Sequence, residues 1–189
     1  MATKARLIVR EAARTDDAAI ERVLLDAYRQ YEQSLPLERW VQYKHNIVSS
    51  VISDTVKYRL VAELDGELAG SVFLFASSRE AYGTEGPHID TPILRLLAVA
   101  PAARGKGVAT ELLRTSAQVA EGWGAQALHL HTTELMGSAV RLYERLGFAR
   151  AVDKDIYNGE LLVRSYRIAL PWRVPEEADR PRKKKEDVG

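Results

Sequence analysis

The residues with the most chemical potential lie at positions 97–113, Leu-Ala-Val-Ala-Pro-Ala-Ala-Arg-Gly-Lys-Gly-Val-Ala-Thr-Glu-Leu-Leu. They read as a strand end, a turn carrying Gly105 and Gly107, and the start of a helix. A helix N-terminus presents unpaired N–H groups and a partial positive charge. Glycine beside it lets a phosphate approach the backbone, so a diphosphate is a natural guest. An ordinary strand-to-helix turn accounts for the same glycines equally well. Two other phosphate loops are excluded. Gly105-Lys106-Gly107 lacks the Gly-x-x-x-x-Gly-Lys-Ser/Thr spacing, and Val108, Ala109 and Thr110 after Gly107 do not complete Gly-x-Gly-x-x-Gly.

Histidines are the next candidates. His129 and His131 lie two apart in a strand-like segment and share one face. Without a third ligand they do not make a metal site, and His129 reads as a structural histidine. His131, at the strand end, and His88, in a polar stretch with Glu85 and Asp90, are candidate general bases. An imidazole pKa near 6.5 suits proton acceptance at neutral pH. A water chain is the alternative base. The absence of cysteine excludes a thiolate nucleophile, disulfides and cysteine metal sites.

The elements that must position these groups follow from periodicity. Strands are predicted over 6–11, 58–64, 67–76, 92–99, 127–132, 148–153 and 160–169. Helices are predicted over 16–28, 37–53, 106–121 and 137–146, with a break at Pro36. Asp65-Gly66 marks a tight hairpin. Residues 77–91 read as a long surface loop. The order is mixed α/β, and the strand–helix–strand crossover around 106–121 implies a parallel pair. The acceptor side is expected from the first two helices, the 77–91 loop and the last strands, with Tyr28, Tyr31, Trp40 and Tyr82 as its aromatics.

Composition bounds the class. The chain has 189 residues, 27 basic and 26 acidic, with 46% hydrophobic residues. That suits one domain, taken as 1–172, followed by a charged, disordered tail over 173–189. The tail holds the run Arg182-Lys183-Lys184-Lys185, but its acidic residues and the neutral body give no footprint for nucleic acid. No apolar run is long enough to span a bilayer, and the charged start lacks a signal peptide. A cytoplasmic protein is the default expectation.

Arg104-x-x-Gly107-x-Ala109 resembles the Arg/Gln-x-x-Gly-x-Gly/Ala signature of the GNAT superfamily of acetyl-CoA-dependent N-acetyltransferases. A second segment, Ala139-x-x-Leu142-Tyr143-Glu144-Arg145-Leu146-Gly147-Phe148, is similar to that family's Ala-x-x-Leu-Tyr-x-x-x-Gly-Phe. The element order over residues 6–170 is similar as well. The resemblance implies an α/β (α+β) fold. Its mixed central sheet would have six to seven strands, helices on both faces, and a parallel pair that splays at the cofactor site. It implies acetyl-CoA as cosubstrate, no metal, and direct transfer to a primary amine of a small molecule or peptide.

The same resemblance assigns residues. Backbone N–H groups of Arg104, Gly105, Lys106, Gly107, Val108, Ala109 and Thr110 would hold the CoA pyrophosphate. Arg104 and Lys106 side chains could add phosphate contacts. Leu97, Ala98 and Val99 would pair with the pantetheine amides. Tyr143 takes the position of the general acid, and its place within the second motif favours that role over simple packing beside Leu142 and Leu146. Two departures stand out. Met136 replaces a frequent Asn, with Ser138 the nearest hydroxyl. The strand before the loop carries Arg95 where many relatives have a carboxylate. Arg95 could orient an acidic substrate or pair with a carboxylate. Alternatives are a different acyl group or a non-catalytic CoA-binding module. A homodimer is one assembly that the resemblance suggests.

Overall fold

The computed structural model describes residues 5–84, 86–159 and 161–176. Glu85, the basic run 182–185 and the other residues from 177 onward lie outside that set. In order, the elements are β1 (Leu7–Glu11), α1 (Asp17–Tyr28), α2 (Leu37–Val51), β2 (Tyr58–Leu64), β3 (Glu67–Phe75), α3 (Ser78–Tyr82) and β4 (Ile93–Val99). There follow α4 (Val108–Gly122), β5 (Ala127–Thr133), α5 (Gly137–Arg145), β6 (Ala149–Arg150), β7 (Ile156–Asn158) and β8 (Leu161–Ala169).

The strands form one eight-stranded sheet in the order β1-β2-β3-β4-β5-β8-β6, with β7 paired to β8. The expected six to seven strands are exceeded by one. The predicted strand over 148–153 shrinks to two residues, and β7 appears as a three-residue partner of β8. So short a strand carries too few positions to show alternation. The expected 77–91 loop likewise contains α3, only five residues long. Its sequence signal was the pair Ser77 and Glu80, spaced as a capping box. The Ser77 N–H donates to Glu80 Oε2 at 3.1 Å.

Strand alternation builds two cores. Leu60, Ala62, Val72, Leu74, Leu94, Leu128 and Leu130 face α4 and α5. Val61, Phe73, Phe75 and Ile93 face α1 and α2. Each set follows the period of two that puts successive side chains on opposite faces. Every strand pair is antiparallel except β4 and β5, which are joined through the α4 crossover.

That parallel pairing is short. It joins Ile93 with His129 and Leu94 with Leu130. Beyond it, β4 stays with β3 as far as Val99–Gly70, while β5 stays with β8 as far as Thr133–Val163. The sheet therefore opens between β4 and β5. A bulge in β4 accompanies the opening. Ser71 pairs with Ala98 and Phe73 with Arg95, so Val72 opposes both Leu96 and Leu97. Leu96 has φ of 55°, a left-handed conformation that is costly for a leucine. The bulge shifts the alternation: Leu94 joins the α4 side, whereas Leu96 and Ala98 join the α1 side.

Gly70 lets α4 close on the sheet beside this opening. A Cβ there would meet Val108 Cγ1 at 2.8 Å, the Ala98 carbonyl oxygen at 2.9 Å and Leu112 Cδ1 at 3.1 Å. One of these is backbone and cannot swing aside. Gly70→Ala is therefore expected to destabilise the fold by about 1–3 kcal/mol, the usual cost of overpacking. Urea unfolding of the variant beside the parent measures it, and an unchanged midpoint would show that α4 can retreat freely.

Candidate active site

The open end of the β4–β5 pair leads into a cavity of about 490 Å³. One edge is formed by Leu94, Arg95, Leu96 and Leu97, the other by Leu130, His131, Thr132 and Thr133. Tyr28, Tyr31 and Tyr43 wall it from α1, α2 and the chain between them, with Tyr82 from α3 and Tyr143 from α5. This volume is within the range of small-molecule sites. The expected acceptor aromatics are thus largely present. Trp40 is the exception, buried at 3% exposure in the α1–α2 core. Tyr43, three residues later on α2, lines the cavity instead. The sequence puts Trp40 on the acceptor side and does not single out Tyr43, because helical spacing does not tell which of the two faces the cavity.

The glycine turn is positioned as its sequence suggested. Gly105 and Gly107 have φ of 75° and 83°, and a Cβ at either would meet nothing within 4 Å. They are needed for the turn rather than for packing. Gly107 caps α4, whose first backbone bond runs from the Glu111 N–H to the Gly107 carbonyl at 3.0 Å. The N–H groups of Val108, Ala109 and Thr110 precede that bond in the first turn, where intrahelical acceptors are lacking. Arg104 reaches elsewhere. Its Nη2 donates to the Ala27 carbonyl at 3.2 Å, tying the turn to the last turn of α1. Lys106 is exposed.

Leu97 and Val99 are half-buried on the opened strand and Ala98 is buried. The Tyr28 hydroxyl donates to the Leu97 carbonyl at 3.2 Å. Met136 lines the cavity, whereas Ser138 is exposed and outside its lining. His88 is also outside it. Its side chain is 85% exposed and pairs with Asp90 at 2.9 Å, so the structure does not bring this candidate base to the cavity. Exposure of a whole polar loop could not be distinguished from a lid by composition.

His131 does reach the cavity. Its Nε2 is 3.1 Å from the Lys154 carbonyl, and its Nδ1 is 2.9 Å from the Tyr82 hydroxyl. A carbonyl only accepts, so Nε2 carries the hydrogen. In the neutral ring Nδ1 is then the acceptor, and the Tyr82 hydroxyl donates to it. Burial lowers the His131 pKa, opposed by the Lys154 carbonyl and reinforced by Arg95. Burial also pushes Tyr82 up to about 12. Tyr143 is buried and its pKa is raised by desolvation, then by Tyr31 and Tyr43. Its hydroxyl makes no hydrogen bond among the described residues.

Arg95 does not pair with a carboxylate among the described residues. It donates to the Ala81 carbonyl and stacks over Tyr82, 4.7 Å from the ring centroid. His129 is 5% exposed, and its Nδ1 lies 2.8 Å from Thr91 Oγ1. Among the described residues, no three His, Asp or Glu side chains converge as a metal site.

Residues 18–148 match the family model described as the acetyltransferase (GNAT) family. The chain belongs to that family. Human N-acetyltransferase 8B is 30% identical over 145 residues, covering 72% of this chain and 61% of its own length. The chain spans less than two thirds of the length of the curated relatives it matches. The solved ribosomal-protein-S18-alanine N-acetyltransferase of Escherichia coli superposes with a TM-score of 0.61 at 17% identity. It covers 90% of this chain and 97% of its own. A GNAT-family acetyltransferase of Brucella melitensis, solved with acetyl-CoA, gives 0.58 at 19% identity, covering 90% and 92%. These similarities establish the GNAT fold. They match the mixed sheet with its short parallel pair and flanking helices. No helix among the described residues is long and apolar enough to cross a membrane.

His129 gives this GNAT domain a pH-dependent stability. Burial lowers its pKa to about 4, helped by Arg167 and His131. The unfolded chain takes up the proton near pH 6.5, whereas the folded chain resists until about 4. The His129 contribution is therefore complete above pH 6.5 and is lost as pH falls toward 4, by about 1–2 kcal/mol once solvent screening of the ring is allowed for. Urea midpoints measured from pH 7 to 4 should fall less steeply in His129→Gln. Parallel curves for the two proteins would remove His129 as the cause.

Proposed function

We propose that this chain is an acetyl-CoA-dependent N-acetyltransferase acting on a primary amine. The observation that carries the reading is the break in pairing after Leu94 and Leu130, which opens onto an aromatic cavity containing Tyr143. The names of the relatives, N-acetyltransferase 8B among them, support the same reaction.

The residues suit the cosubstrate. Beyond the break the facing edges of β4 and β5 have no strand between them and can pair with an amide-bearing chain such as pantetheine, the Leu97 carbonyl already accepting one hydrogen from Tyr28. Leu97, Ala98 and Val99 supply the β4 edge. The Thr132 hydroxyl on the facing strand is buried without a partner. The turn from Arg104 to Thr110 offers first-turn N–H groups, over glycines with open space, to a pyrophosphate. Met136 offers a thioether to the pantetheine arm. The bound cosubstrate supplies an activated acetyl thioester, with no need for a covalent enzyme intermediate.

The protein's part is proton management. An attacking amine must be neutral, so a base has to remove its proton. His131 is that base, acting through Tyr82. The Tyr82 oxygen takes a proton from the amine while its own hydrogen passes to His131 Nδ1. The resulting imidazolium keeps its Nε2–H bond to the Lys154 carbonyl and gains from the Asp155 carboxylate. His131 is neutral at pH 7 because burial lowers its pKa, so it is ready to accept. Tyr143 is the acid. Its raised pKa keeps the phenol protonated, and its hydrogen serves the sulfur as negative charge builds there. The same dry surroundings disfavour a bare thiolate, which makes that donation worth more.

Three variants test this with thiol release from acetyl-CoA over a panel of amines. Tyr143→Phe should lower kcat by about 10²-fold or more with CoA affinity intact. Unchanged turnover would remove the acid role. In the parent, kcat/KM should fall only once the pH drops below the ordinary imidazole range, because burial lowers the His131 pKa and its protonation removes the base. His131→Gln and Tyr82→Phe should both flatten that limb. Tight CoA binding with no turnover on any amine would favour the non-catalytic CoA-binding reading instead.

A further inference from the structure

Among the described residues that line the cavity, the charged side chains are Arg39 and Arg95, with no Asp or Glu. Arg95 is the more telling cation. It sits at the β4 bulge, half-buried, with its guanidinium 4.7 Å from the Tyr82 ring and 5.6 Å from the Phe75 ring. One N–H is held by the Ala81 carbonyl. A guanidinium has five N–H donors in a planar fork, so most of its bonding capacity remains. Its field reaches across the cavity, favouring the ionised forms of Tyr28, Tyr43 and Tyr82 and disfavouring a charged His131. A half-buried cation among aromatic rings, with no counter-charge from the described lining, suits an anionic ligand group.

We propose that Arg95 anchors a carboxylate of the acceptor, and that the acceptor is an apolar amine bearing that carboxylate, an apolar amino acid being the simplest case. This rests on the acetyl-transfer reading above. Arginine binds carboxylates through paired charge-assisted hydrogen bonds, which fix orientation as well as affinity. The aromatic rings of Tyr28, Tyr31 and Tyr43 offer an apolar surface for the remainder of the ligand. Tyr82 connects the two functions. Its ring lies under the guanidinium, and its hydroxyl leads to His131. Amine and carboxylate on neighbouring atoms suit such neighbouring features. Arg95 also disfavours a second cation in the cavity, so it penalises polyamines and promotes the neutral form of the bound amine. A peptide N-terminus offers no carboxylate at that short range.

The test compares phenylalanine, phenylalaninamide, 2-phenylethylamine and a phenylalanine-led tripeptide amide as acceptors with acetyl-CoA. Phenylalanine should exceed the other three in kcat/KM by roughly 10- to 100-fold, chiefly through KM. Arg95→Gln should bring the acid-to-amide ratio close to one, with Arg95→Lys in between. Circular dichroism checks both variants. If Arg95→Gln does not fold, the lysine variant carries the comparison, because it keeps the charge and loses the fork. An amide or peptide used as well as the acid, or a ratio untouched by the substitutions, overturns the proposal. If no acceptor is turned over, calorimetry with N-acetylphenylalanine and its amide, in the presence of CoA, separates the two readings. Acid-selective binding that depends on Arg95 keeps the anchor while the transfer reading fails. Equal or absent binding of the two removes the anchor.

Discussion

The two halves of the sheet share backbone hydrogen bonds only as far as Leu94 and Leu130, and the arrangement of the site depends on where that contact stops. Each half remains satisfied by its own neighbours. β4 follows β3, and β5 follows β8. Opening the sheet therefore leaves only the two facing edges unpaired, rather than whole strands. Leu96 marks the transition with a backbone conformation costing about 1–2 kcal/mol. The surrounding pairing must hold it there. Gly70 contributes by leaving out the Cβ that would collide with Val108 and Leu112 of α4 and with the Ala98 carbonyl. Removing the bulge would restore the alternation and turn Leu96 away from α1.

Dryness gives the cavity its chemistry. Burial raises the pKa of Tyr28, Tyr31, Tyr43, Tyr82 and Tyr143, and lowers that of His131. All of these shifts favour neutral forms, as desolvation requires. The result is a set of proton donors next to an uncharged acceptor, with Arg95 and Arg39 as the charges among the described lining residues. The hydrogen-bond direction is set from outside the cavity. The Lys154 carbonyl fixes the tautomer of His131, which in turn fixes the direction in which Tyr82 points its hydrogen.

Much of this was legible in the sequence because the relevant signals are local. Gly105 and Gly107 announced the turn, alternation announced the long strands, and Tyr143 stood within a recognisable segment. The missing parts depend on non-local pairing. The three residues of β7 gain meaning only against β8, and the β4 bulge only against β3. Tyr43 and Trp40 have similar periodicity, yet tertiary packing sends one to the cavity and the other to the core. His88 and His131 offered the same side-chain chemistry. Which one met a buried partner was decided by strand β5 and helix α3, not by local composition.

The Arg104 guanidinium spans two regions that are otherwise separate in sequence. It belongs to the glycine turn, and it holds the Ala27 carbonyl at the end of α1, next to Tyr28. Tyr28 in turn holds the Leu97 carbonyl on the opened strand. Turn, helix and strand thus form a closed mechanical loop through two side chains. The glycine turn and the aromatic wall are therefore held by one connected set of hydrogen bonds, so the wall is braced from the same side chain that braces the turn. The backbone carbonyls at Ala27 and Leu97 are the two points through which turn, helix and strand are tied.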